Sequence, residues 1–130
     1  MSSIDLETFG QAYIGCALWA STTENGEPLD SEHDSGDIAP ETKAQMLADC
    51  ADFQTANTEL LSQWYEQCGE STERAGHDFW LTRNRHGAGF WDRWASGTPQ
   101  AKIGQQLTDA AHAYGSYDLY IGDDGLIYGQ

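Results

Sequence analysis

Met46, Cys50, Phe53, Asn57, Leu60, Trp64 and Cys68 fall three or four residues apart without a break. Recurrence at that period places side chains on one face of an α-helix. Pro40 fits the first helical position, Glu41 sits near the positive end of the helix dipole, and Gly69 is a natural stop. One long helix is therefore expected over 40–68, with Asp49, Asp52, Glu59 and Glu66 on its open side. A 130-residue chain with 39% hydrophobic residues and five Trp can enclose one core around such an element. We read residues 1–130 as a single domain.

The charge is lopsided. The chain holds 21 Asp+Glu against six Lys+Arg, a net −15. Residues 1–70 carry 14 of those acids and the single base Lys43; residues 71–130 carry seven acids and five bases. The division separates an acidic helical half from an aromatic-rich β/α half. Direct nucleic-acid binding is disfavoured, because phosphate contacts depend on clustered Lys and Arg. A basic protein or ribonucleoprotein complex suits this field better. No apolar run reaches the ~18 residues of a membrane span, and the start, Met1–Asp5, lacks the pattern of a secretory signal. Cys16, Cys50 and Cys68 are too few and too odd in number for a disulfide framework.

Apolar residues at helical spacing predict another helix over 4–20, weakened by Gly10 and Gly15. Residues 22–39 read as a polar, acidic loop. His77–Thr82 is rich in strand formers, and Gly89–Asp92 is its expected hairpin partner across 83–88. Thr98-Pro99 marks the start of a helix continuing to Tyr114. Residues 117–128 hold two short apolar runs around Asp123-Asp124-Gly125, a tight-turn signal. The expected class is α+β, with two to three helices packed on a small antiparallel sheet of three to four strands. Trp80, Trp91, Leu119 and Ile121 are expected in its core, with Phe53 and Trp64 against them.

Three groups of residues carry possible chemistry. In the loop, Asp30, Asp34 and Glu41 take positions 1, 5 and 12 of a calcium loop, but the glycine falls at 7 where the sharp turn needs it at 6. A solvated acidic loop is the simpler reading. A zinc site would have to gather distant residues such as Cys68, His77 and His86, and no close ligand spacing supports one. No metal or other cofactor is therefore expected. The third group is His77, Asp78, Arg83 and His86. As an enzyme site it would use His86 as general base, Asp78 or Asp92 to orient it and Arg83 as anion clamp. The same residues serve equally as structural ion pairs, and structure is preferred over catalysis.

The stretches AGHDFWLTRN, HGAGFWDR and DLYIGDDGLIY resemble a group of small acidic proteins encoded by bacteriophages and prophages. PLD at 28–30 and IAPET at 38–42 fit the same pattern. Arg85 and Trp94 depart from it, since the group has glycine at both positions. The resemblance implies a phage origin and a setting in the cytoplasm of the bacterial host; it brings no assigned activity. From charge and shape, the expected function is to bind and inhibit a host nucleic-acid-handling defence complex of the restriction or CRISPR type. The contact would use Asp30, Glu32, Asp34, Asp49, Asp52, Glu59 and Glu66, spaced along a rigid helix and its loop as a mimic of phosphates. The alternatives are a small hydrolase or nucleotide-modifying enzyme using His77, Asp78, Arg83 and His86, and a regulatory or structural phage factor, including a homodimer built on the aromatic half.

Overall fold

A computed structural model describes residues 3–23, 25–86 and 88–130. The first helix, α1 (Ser3–Ala20), follows the expected periodicity, with Phe9, Tyr13, Cys16 and Ala17 buried on one side. Gly10 has a packing role there: a methyl group at this position would lie 2.8 Å from Leu47 Cδ2. The acidic connection then makes two short 3₁₀ turns, Leu29–Ser31 and Ser35–Asp37, anchored by buried Leu29 and Ile38. Asp34 Oδ1 accepts from the Gly36 N–H at 2.8 Å, and Asp37 Oδ2 accepts from the Asp34 N–H at 3.0 Å. These two carboxylates close their own turn.

The long helix expected over 40–68 is two helices, α2 (Pro40–Ala56) and α3 (Thr58–Gln67). They part at Asn57, whose φ and ψ of −121° and 28° leave the helical region. Its side-chain amide donates to Phe53 O at 2.9 Å, and the Thr58 hydroxyl donates to Gln54 O at 2.9 Å. Side chains of these types compete with the helix for backbone groups. The interruption also shifts the buried face, so Leu61 rather than Leu60 is fully buried beside Trp64.

The larger correction concerns the second half. Residues 77–82 belong to a helix, α4 (Thr72–Arg83). Ser71 Oγ caps it by accepting from the Arg74 N–H at 3.1 Å, Glu73 lies in its first turn and Arg83 in its last. Both charges favour a helix dipole. Gly89–Asp92 is a turn and pairs with no strand. The described residues therefore hold five helices and one two-stranded sheet, which overturns the α+β arrangement of two to three helices on three to four strands. The helix α5 (Pro99–His112) begins as its sequence requires, with Thr98 Oγ1 accepting from the Ala101 N–H at 3.1 Å. At the end, β1 (Leu119–Ile121) and β2 (Ile127–Gly129) pair antiparallel, with Tyr120 opposite Tyr128. Gly125 turns between them at φ 84°. Ile38 pairs in parallel with Ile127, fastening the acidic connection to β2.

The core lies where α1, α2 and α4 meet. A methyl at Gly76 of α4 would fall 2.2 Å from Phe9 O of α1, so glycine is what lets these helices touch. Phe53 and Phe79 stack at 4.2 Å between ring centres, with Phe9, Phe90 and Tyr114 around them. Burial of each such ring contributes about 1.5–3 kcal/mol. Trp80, Leu119, Phe53 and Trp64 are buried as expected. Trp91 and Ile121 are not: they remain 43% and 39% exposed, one in a surface turn and the other at the end of a short edge strand.

Candidate functional site: a cleft along α4 and a separate buried arginine

The residues singled out as a catalytic group divide between two places. His77, Asp78 and His86 line a cleft of about 570 Å³ between the end of α1, α4 and the turn after α4. Trp19, Arg74, Asp92 and Arg93 complete its wall. Asp78 is 1% exposed and faces Arg93, with Oδ2 to Nη2 at 2.6 Å and Oδ1 to Nη1 at 3.5 Å. Arg93 also donates to Glu70 at 3.3 Å and to Gly89 O at 3.3 Å, and its guanidinium lies against Trp64 and Trp94. It thereby ties the turn 89–94 to α4 and to the α3–α4 connection. Burial raises the Asp78 carboxyl above the ordinary carboxylate range, against the pull of Arg93.

His77 is half-buried with the exposed Trp19 indole against it, ring centres 6.0 Å apart. Its Nδ1 is buried and has no hydrogen-bond partner among the described residues. Desolvation pulls its pKa down, so the imidazole favours its neutral form. Trp19 and His77 also border a neighbouring groove that reaches Cys16. Burial pushes the Cys16 thiol up to about 12, which keeps it protonated and a poor nucleophile at neutral pH. Asp78 spends both oxygens on Arg93, so it is not placed as the orienting carboxylate of a histidine base.

Arg83, read from the sequence as an anion clamp, is elsewhere and is already occupied. It is 3% exposed. Its Nη1 donates to Tyr13 Oη at 3.0 Å and Asp49 Oδ2 at 2.9 Å, its Nε to Gly115 O at 2.9 Å, and its Nη2 to Tyr114 O at 3.2 Å. The rings of Phe79, Tyr114 and Tyr117 flank the guanidinium. Arg83 thus joins α1, α2, α4 and the segment after α5, and complements the negative end of α5. Removing one partner from a buried pair of this kind costs about 3–5 kcal/mol.

The expected partner-binding carboxylates also divide. Asp30, Glu32, Asp34, Asp52, Glu59 and Glu66 are exposed. Asp49 is not free, because Arg83 holds it. Asp52 accepts from the Tyr114 hydroxyl. The break at Asn57 separates Asp49 and Asp52 from Glu59 and Glu66, so these four do not form a ladder on one straight rod. Among the described residues, no group of three or more His, Cys, Asp and Glu side chains forms a metal-holding cluster, and Cys68, His77 and His86 do not converge as one.

Sequence reasoning missed Tyr13, Glu70 and Trp19 as parts of these sites. Tyr13 reads as one more member of an apolar stripe; its hydroxyl meets a guanidinium 70 residues away. Trp19 offers a faint signal, a large aromatic at the end of α1 just before a polar stretch of sequence. No helix of the described chain is long and apolar enough to cross a membrane. Comparison with protein-family models, with curated proteins and with solved structures returns no match.

Proposed function

We propose that this chain is a non-enzymatic binding protein of phage origin whose carboxylates engage a basic, nucleic-acid-handling protein of the host and so inhibit it. The observation that carries this reading is the distribution of unpaired charge. Arg83 and Arg93 are both turned inward, to Asp49, Glu70, Asp78 and Asp92. Asp30, Glu32, Glu59 and Glu66 stay exposed with no ion-pair partner among the described residues. Two of the six cations are thus taken up by inner carboxylates; Arg74, Arg85 and Lys102 remain on the surface, where exposed carboxylates outnumber them. A field of that sign speeds association with Lys- and Arg-lined channels more than it sets final affinity. With Asp49 held by Arg83 and the helix broken at Asn57, the contact depends on summed charge rather than on a regular phosphate-like spacing.

The test is capture from bacterial lysate, with release by duplex DNA. The expected result is retention of DNA- or RNA-binding proteins that free DNA displaces. The triple variant Asp30→Lys, Glu59→Lys, Glu66→Lys should lose capture by about tenfold or more while staying folded. Unchanged capture by that variant, or release by salt but not by DNA, would sink the proposal.

A further inference from the structure

The C-terminal hairpin has one closed edge and one open edge. Asp118 and Gln130 exchange both backbone bonds, at 2.9 and 3.0 Å, and the Gly122 N–H donates to Leu126 O at 2.8 Å. Bonded and non-bonded pairs alternate in an antiparallel ladder, so Tyr120 and Tyr128 form the next bonded pair. Leu119 and Ile121 consequently turn their N–H and C=O groups away from β2. The outer edge of β2 is covered, since Ile38 pairs with Ile127 and the Ala39 N–H donates to Ile127 O at 2.9 Å. The outer edge of β1 opens into a groove of about 550 Å³, lined on its other side by Thr22, Thr23, Asn25, Glu27 and Glu32.

This groove combines an unpaired strand edge with apolar and acidic walls. Tyr120 and Ile121 are 44% and 39% exposed along it. Glu27 and Glu32 line it, neither has an ion-pair partner among the described residues, and no Lys or Arg contributes to the lining. Proteins usually blunt such edges with lysine or proline; β1 has neither.

We infer that the β1 edge and its groove take up an extended, basic segment of a partner protein, which adds to the sheet as a third strand beside Leu119–Ile121 and sets Lys or Arg side chains against Glu27 and Glu32. The inference rests on the proposed basic partner and supplies the place and manner of its grip. Strand addition draws affinity from main-chain bonds and specificity from alternate side chains. Here the backbone of Leu119 and Ile121 fixes register, Tyr120 and Ile121 offer apolar contact on opposite faces of the strand, and the two glutamates select cations. A second copy of this chain is the wrong occupant: it brings another net −15 and sets these carboxylates against their equals.

The probe is a short capped peptide alternating Lys and Val, compared with a peptide of equal charge in which Pro replaces alternate Val residues. Amide hydrogen exchange in the unaltered protein reads the edge directly. The Lys-Val peptide should protect the Leu119 and Ile121 amides and bind about tenfold tighter than the Pro peptide, which cannot complete a ladder. Ile121→Pro removes a donor that faces the groove and leaves the β2 ladder intact, so it should abolish that preference. Glu27→Lys with Glu32→Lys should weaken both peptides. Equal binding of the two peptides, or saturation without protection at 119 and 121, overturns strand addition while leaving the charge-based reading standing. Failure of both peptides to bind overturns the two together.

Discussion

Arg85 is the only non-glycine residue among those described whose φ, 56°, lies in the left-handed region. Its surroundings explain why. The His86 N–H donates to Leu81 O at 3.0 Å and the Arg85 N–H to Thr82 O at 3.0 Å. That pair of bonds is the Schellman closure of a helix, whose left-handed position is normally glycine. The conformation favours glycine, and the hairpin expected across 83–88 is a helix end instead. A side chain in this region costs about 1–2 kcal/mol. Arg85→Gly should therefore raise unfolding free energy by roughly 0.5–1 kcal/mol, since part of the relief is lost to glycine's freedom in the unfolded chain. Arg85→Val should lower it. Urea denaturation of the three proteins distinguishes the outcomes, and a destabilised glycine variant would contradict the account. Trp94 is fixed by its own contacts: its Nε1–H donates to Phe90 O at 2.9 Å, and its indole seats against Gly104 of α5.

At the scale of elements, the α1–α4 crossing depends on Gly76. With Phe9 O only 2.2 Å from where a methyl would sit, the backbone itself must move. Gly76→Ala should destabilise by about 1–3 kcal/mol despite the better helix propensity of alanine. A thermal melt reads the loss, and an unchanged or raised midpoint would refute the close crossing. What the sequence disclosed follows the same logic. The helices α1 and α5 and the hairpin were legible because Thr98-Pro99, Asp123–Gly125 and clean periodicity act locally. The helix α4 was not, because from Asp78 to Arg83 it is buried on every side. It shows no polar face, and its aromatic residues imitate a strand. The break at Asn57 was hidden because that residue falls on the very stripe that defines the helix. Of the candidate site, His77, Asp78 and His86 line one cleft. The removal of Arg83 to a second cluster depends on partners 31 to 70 residues away, beyond any local pattern.

For the molecule as a whole, His77 and Asp78 set opposite responses to acid. The His77 pKa is lowered from 6.5, mainly by desolvation, with Arg74 and Arg93 adding to the effect and Asp78 and Glu73 opposing it. The unfolded chain therefore binds the extra proton first, and stability falls as pH drops through about 6.5 toward the folded value. Asp78 titrates above its unfolded value, so its contribution rises as pH falls, in a lower window. Stability of the unaltered protein should thus decline below pH ~6.5 relative to His77→Gln, as followed by chemical denaturation across pH. Parallel curves for the two proteins would exclude His77 as the source. The Arg83 cluster bears on a different matter, the order of events during synthesis. Tyr13, Asp49 and the guanidinium leave the ribosome well before Tyr114 and Gly115, whose carbonyls close the site. Until α5 has been made, the cation has an incomplete shell and its burial is penalised. The Arg83 shell that joins α1, α2 and α4 is therefore expected to close only once α5 and Tyr114–Gly115 have been made, which favours cooperative folding over assembly helix by helix.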